Sequence, residues 1–299
     1  MDNNYLNIWE DTKKRIFAGK GTCICPNCHK EAVYNHVIQR ANILNSLCNN
    51  NMEVRIFEYL PLYYNNGQPQ YQLKAISKCF GFYGFCQEHD SAIFRPIESN
   101  ITEYTWQKKE SQYLLAYRAI LRHKSYSINA RMVYETMCSK FPNLNKSYQI
   151  ELLDNDLQLC HLYHKIIEDG IFNTDYSKLD FFYHTLPYRV EMANASCVYF
   201  TTPIYCGPIE KREYYICVFF PFENKTFITI GYMHHNPTYW LDKLKPFFMS
   251  NEVNDNYIAI NNLILGSGLH CMKPSYYDAL PKDKIEKFIN DWQTFNNSV

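Results

Sequence analysis

The chain lacks any apolar run approaching the roughly 18 residues that span a bilayer. It also lacks charge imbalance, with 30 Lys and Arg set against 30 Asp and Glu in 299 residues. The first absence excludes a helical membrane span, so no membrane partner is expected. The second argues against a dedicated nucleic-acid binder, which is usually basic, while leaving room for a local patch. No secretory leader is expected either. Met1 to Asn7 offers neither a basic n-region nor an apolar h-region, so the expected location is cytoplasmic and the thiols are expected to be reduced. There is no internal repeat and no low-complexity linker. Apolar and aromatic residues are abundant: 46% of the chain is hydrophobic, with 26 Tyr and 19 Phe, against 20% charged. Such a chain folds into a globular body in which much of the tyrosine is half-buried, ring packed and hydroxyl wet.

Apolar spacing changes character twice, near residues 100 and 175, and predicts an α+β protein in three parts. Residues 1–100 read as a helix over Leu6 to Ala18, a strand from Glu31 to Ile38, and helical turns over Ala41 to Leu47. Two strands, Val54 to Leu60 and Tyr71 to Ile76, follow around a turn at Asn65-Asn66-Gly67, and a short helix begins at Cys86. Residues 101–175 carry apolar positions at three- and four-residue steps. Tyr113, Leu114, Tyr117, Ile120 and Leu121 form one set, continued by Val133, Met137 and Phe141; Ile150, Leu153, Leu157, Cys160, His164 and Ile167 form another, ending at Gly170. These predict a helical hairpin with Gly170 as its C-terminal cap. Residues 176–299 read as an α+β region, with strands at Cys197 to Thr201, Tyr214 to Phe220 and Thr226 to Ile230. Helices close it at Tyr239 to Phe248 and, after Pro281, at Lys282 to Phe295.

The chemistry-bearing pattern is a split set of soft ligands. Cys25-Pro26-Asn27-Cys28 supplies two thiols from one tight turn, and Cys86-x2-His89 supplies a thiol and an imidazole much later. Two short pairs at a free separation are what a tetrahedral structural zinc ion takes, because each pair must point at one ion while the fold closes the loop between them. Cys23 offers an alternative to Cys25 through a Cys-x4-Cys knuckle; the x2 turn is the tighter of the two. The other cysteines have no paired spacing and read as packed thiols.

The knuckles, together with Asn35-His36-Val37-Ile38, Arg40, and Gly84-Phe85-Cys86-x2-His89-Asp90 leading to Phe94 and Ile97-Glu98, resemble a treble-clef zinc finger of the HNH (His-Me finger) type over about residues 20–100. The resemblance implies a metal-dependent nuclease, in a bacterial defence or mobile-element setting. His36 would be the general base at the end of the first hairpin strand, and Asp90 and Glu98 would hold a Mg²⁺ or Mn²⁺ ion. One departure bears on activity: active members carry Asp-His at the strand end, and here the residue before His36 is Asn35, a weaker ligand. The alternative function is therefore a non-catalytic, zinc-stabilised binding or interaction protein. Nucleic acid and protein are both candidate partners.

Several other groups carry blander readings. His161 and His164 lie one helical turn apart with no accompanying Glu, and read as part of a packed helix. His234-His235 reads as the end of a strand, and Gly266-Ser267-Gly268 as a turn. Arg118, Arg122, His123 and Lys124 read equally as a nucleic-acid contact or as a solvated helix face.

Overall fold

The computed structural model describes residues 3–58, 70–142, 147–202, 211–236, 238–267 and 269–297. The expected turn at residues 65–67, Cys206 and Gly268 lie outside them. The N-terminal third contains α1 (Asn3–Phe17), β1 (Tyr34–His36), β2 (Glu53–Glu58), β3 (Tyr71–Ala75), β4 (Gly81–Tyr83) and α2 (Gln87–Phe94). The middle is two long helices, α3 (Lys109–Lys140) and α4 (Ser147–Asn173). The remainder is β5 (Leu179–Leu186), β6 (Met192–Thr202), β7 (Lys211–Phe222), β8 (Lys225–Met233), α5 (Tyr239–Phe248), α6 (Val253–Ser267), β9 (Leu269–Met272), α7 (Pro274–Asp278) and α8 (Lys282–Asn297). The fold class is α+β, as the periodicity predicts. No helix among the described residues is long and apolar enough to cross a membrane.

The central sheet has seven strands in the order β3-β2-β9-β6-β7-β8-β5, paired antiparallel throughout. Its middle strands are buried on both faces, and the two-residue repeat of a strand sorts their side chains. Tyr214, Ile216, Val218 and Phe220 of β7 enter the core shared with α3 and α4. The alternate residues Tyr215, Cys217 and Phe219 enter a second core with Leu241, Leu244 and Phe248 of α5 and Ala259, Ile260 and Leu263 of α6. The three expected segments therefore do not pack separately. β2, from the first segment, pairs with β9 from the last, Ile56 facing Cys271. The first core joins Val37, Ile38 and Phe94 to Tyr113 and Tyr117 of α3, Ile167 of α4 and Cys271 of β9.

Two local readings need correction. Gly170 does not cap α4, which runs on to Asn173. It is instead a point of close approach, where an added Cβ would lie 2.2 Å from Cε1 of Tyr113. The basic cluster on α3 is not a uniformly solvated face either: Arg118 is 1% exposed, and Arg122, His123 and Lys124 are half-buried. The first turns of α3 run through the centre of the molecule, against the sheet on one side and the N-terminal module on the other.

Candidate metal centre and the Asp90–Glu98 site

The N-terminal module is built from a knuckle, a two-stranded sheet and a helix. Asn27 takes the left-handed conformation (φ 62°) that lets the chain reverse between Cys25 and Cys28, whose N–H donates to the Cys25 carbonyl at 3.1 Å. β1 and β4 pair antiparallel, Asn35 opposite Phe82 and His36 opposite Gly81. The knuckle is tied to the segment after β4 by Ile24 N–H to the Gly84 carbonyl (2.9 Å) and Val33 N–H to the Phe85 carbonyl (2.9 Å). Cys86 then stands at the start of α2, which places His89 one turn further on, on the same face.

This framework converges four ligand atoms. Those of Cys23, Cys28, Cys86 and His89 all lie within 4.8 Å of one another. Cys28 Sγ is 3.9 Å from Cys86 Sγ, and His89 Nδ1 is 3.3 Å from Cys23 Sγ and 3.4 Å from Cys86 Sγ. A four-coordinate ion with metal–sulfur bonds near 2.3 Å sets its ligands roughly 3.5–3.8 Å apart, so the spacing and the donor set both fit a metal ion.

The group contains Cys23 and not the expected Cys25. Cys23 is the inner residue: it is 5% exposed, and its N–H is fixed by the Lys30 carbonyl at 2.9 Å. Burial pushes its thiol up, but hydrogen bonds from the Cys86 and Cys25 backbones and from the side chains of His89 and Cys28 outweigh this and bring it down to about 6. Cys25 is driven the other way, up to about 12, by burial and by the negative charge of Cys23. The choice itself is geometric: Cys23 Sγ lies among the converging ligand atoms, 3.3 Å from His89 Nδ1, and Cys25 is outside that group. Two cysteines two residues apart face the same side of an extended segment, so spacing alone does not separate them.

His36 stands at the end of β1, as expected. Its Nε2 donates to the Ile76 carbonyl (3.0 Å), and its ring meets that of Tyr34 edge-on. Burial is the main cause holding its pKa below the usual histidine value; the cations Arg40 and Arg118 add to this, and the Ile76 bond and Asp90 oppose it. Asn35 does not face a cation site. It is 1% exposed, and its Oδ1 accepts the N–H groups of Gly84 (3.1 Å) and Phe85 (2.7 Å), clamping the turn that delivers Cys86.

Asp90 and Glu98 are brought together, but around a side chain. Nη2 of Arg118 lies 3.2 Å from Asp90 Oδ1 and 2.7 Å from Glu98 Oε1. The guanidinium also stacks on Phe94, 3.9 Å from the ring centre. A fixed cation from α3 thus sits between the two carboxylates expected to hold a hydrated one. No pattern in the sequence signals this, because Arg118 meets partners 28 and 20 residues earlier and reads locally as one member of a basic run.

A second group, His123, Asp156 and Cys160, also has ligand atoms within 4.8 Å. Its members already have partners: Asp156 accepts from Ser127 and pairs with His123 at 2.9 Å, while burial holds the Cys160 thiol up. His164 likewise lies 3.1 Å from Glu168. Compared with protein-family models, curated proteins and solved structures, the chain matches none.

Proposed function

We propose that this protein is a zinc-stabilised binding protein whose treble-clef module serves as a scaffold and carries no hydrolytic centre. Zinc is the ion of choice for a set of three thiols and one imidazole, held by Cys23, Cys28, Cys86 and His89. The observation that carries the reading is Arg118. An HNH-type reaction needs a divalent cation near the general base to stabilise the charge that develops on the phosphate. Here Asp90 and Glu98 share one buried guanidinium, which offsets one of their two charges and occupies the space between them, and whose displacement would leave a buried charge without its partners. Two further features support it: Asn35 is spent on the backbone of Gly84 and Phe85, and an Nε2 proton of His36 is held by a carbonyl.

The test is cleavage of mixed DNA and RNA in Mg²⁺ or Mn²⁺, with wild type and His36→Ala prepared in parallel. The expected result is no cleavage above background by either protein. Cation-dependent cleavage that wild type shows and His36→Ala loses by the 10²–10⁴-fold typical of a general base would overturn the reading in favour of a nuclease.

A further inference from the structure

A one-signed cluster of charge lies outside the Arg118 site. A cavity of about 460 Å³ opens between α1, α3 and the β1–β4 sheet, and its wall contains Lys13, Lys14, Lys20, Lys74, Lys78 and Arg122. Among the described residues no carboxylate lines it, although acidic and basic residues balance over the whole chain. Lys13 pairs with Glu10 at 3.5 Å and Lys20 with Glu31 at 2.9 Å, both carboxylates standing outside the wall. Lys13 is also 7% exposed, so its charge is held in a built and largely desolvated position, where a counter-anion gains more than it would at the open surface. The same wall carries aromatic faces. Tyr34 and Tyr83 meet edge-on at 5.5 Å on the β1–β4 sheet, and Tyr126 lies opposite on α3, each half-buried. Ser125 and Asn129, one turn apart on α3, add neutral donors and acceptors.

The wall gathers six cations from four stretches of chain with no carboxylate among its lining residues, a surface complementary to a multiply charged anion, and tyrosine rings beside them suit a planar base. We propose that this cavity binds a nucleotide, its phosphates held by the lysines and Arg122 and its base packed against the tyrosines. The volume favours a single nucleotide, since ligand pockets for small molecules begin at about 300 Å³ and a strand needs a groove that continues past the site. This inference rests on the reading of the chain as a binding protein and names its ligand class. It uses none of the residues around Arg118.

The experiment is calorimetric titration of the full chain, without added divalent cation, with adenosine triphosphate, inorganic tripolyphosphate and a mixed-sequence single-stranded oligonucleotide. Adenosine triphosphate is expected to bind saturably and at least tenfold more tightly than tripolyphosphate, which lacks a base. The exposed-lysine double variant Lys14→Glu/Lys78→Glu should weaken it by tenfold or more while melting temperature and metal content stay at wild-type values. Tyr83→Ala should remove the preference for the triphosphate carrying a base. The proposal is overturned by no saturable binding at millimolar nucleotide, by binding that the double lysine variant leaves unchanged, or by an oligonucleotide that binds more tightly than the free nucleotide. None of these results produces cation-dependent cleavage, so failure here is distinct from failure of the scaffold reading.

Discussion

At the metal centre, the fold brings one of two neighbouring sulfurs, that of Cys23, among the other ligand atoms. The Cys23 sulfur accepts from the Cys86 and Cys25 backbones, whereas Cys25 stands at the rim of the turn and is disfavoured as an anion. Cys23→Ser, Cys28→Ser and Cys86→Ser should each abolish stoichiometric metal, and Cys25→Ser should retain it; elemental analysis of the purified variants checks this. In the apoprotein the same shift has a pH consequence. With its thiol lowered from 9.0 to about 6, Cys23 contributes stability that is fully present above pH 9 and is lost as the pH falls through about 6. The soft-ligand set was legible in the sequence because each pair is local. The choice within the pair was not, because it depends on where the fold sets each sulfur relative to Cys86 and His89, more than 60 residues away. Arg118 was illegible for the same kind of reason: its partners Asp90 and Glu98 come from another element, and three neighbouring basic residues disguise it as surface.

Among the elements, α4 shows how a correctly read helix can hide a misread glycine. Gly170 ends the apolar pattern and looks like a cap, yet the helix continues, and the residue exists to admit the Tyr113 ring. That ring is held in place: Tyr113 is fully buried and its hydroxyl accepts the Leu179 N–H at 3.2 Å. Gly170→Ala should therefore destabilise by about 1–3 kcal/mol through overpacking. At an unconstrained helix position the same change would stabilise by about 1 kcal/mol. Denaturant unfolding of the two proteins checks the sign, and Tyr113→Phe should not rescue it because the clash is with the ring. Elements long enough to carry a run of spaced apolar or β-rich residues were readable: α1, the α3–α4 pair, the β7–β8 hairpin and α5. Short or evenly mixed ones were not. β9 is four residues buried at every position, and β4 is only three residues long. α6 sets Ala259, Ile260 and Leu263 inward while exposing Ile258 and Val253, so its sequence shows no single apolar stripe.

Over the whole molecule, the first and last of the three segments that apolar spacing suggests share one sheet, and all three contribute to one core. β2 lies between β3 and β9, so the N-terminal module and the C-terminal strands stabilise each other directly. Removing the metal with a chelator should accordingly shift one cooperative transition, read coincidently by near- and far-ultraviolet circular dichroism, downward for the entire chain. A structural zinc ion is worth on the order of 10 kcal/mol in small modules, so the shift should be large. Two separate transitions, with the C-terminal one unmoved, would show that the shared sheet does not couple them. The long-range pairing behind this expectation has no local signature; register between residues 55–58 and 269–272 exists only once the chain has folded. The central claim is that Arg118 supplies the cation of the Asp90–Glu98 site, and Mn²⁺ binding tests it most directly. Electron paramagnetic resonance titration of the zinc-loaded wild type should show no bound Mn²⁺ at this site, while Arg118→Ala, provided it remains folded by circular dichroism, should gain a Mn²⁺ that Glu98→Gln added to it removes. A bound Mn²⁺ in the wild type that Glu98→Gln alone abolishes would contradict the account.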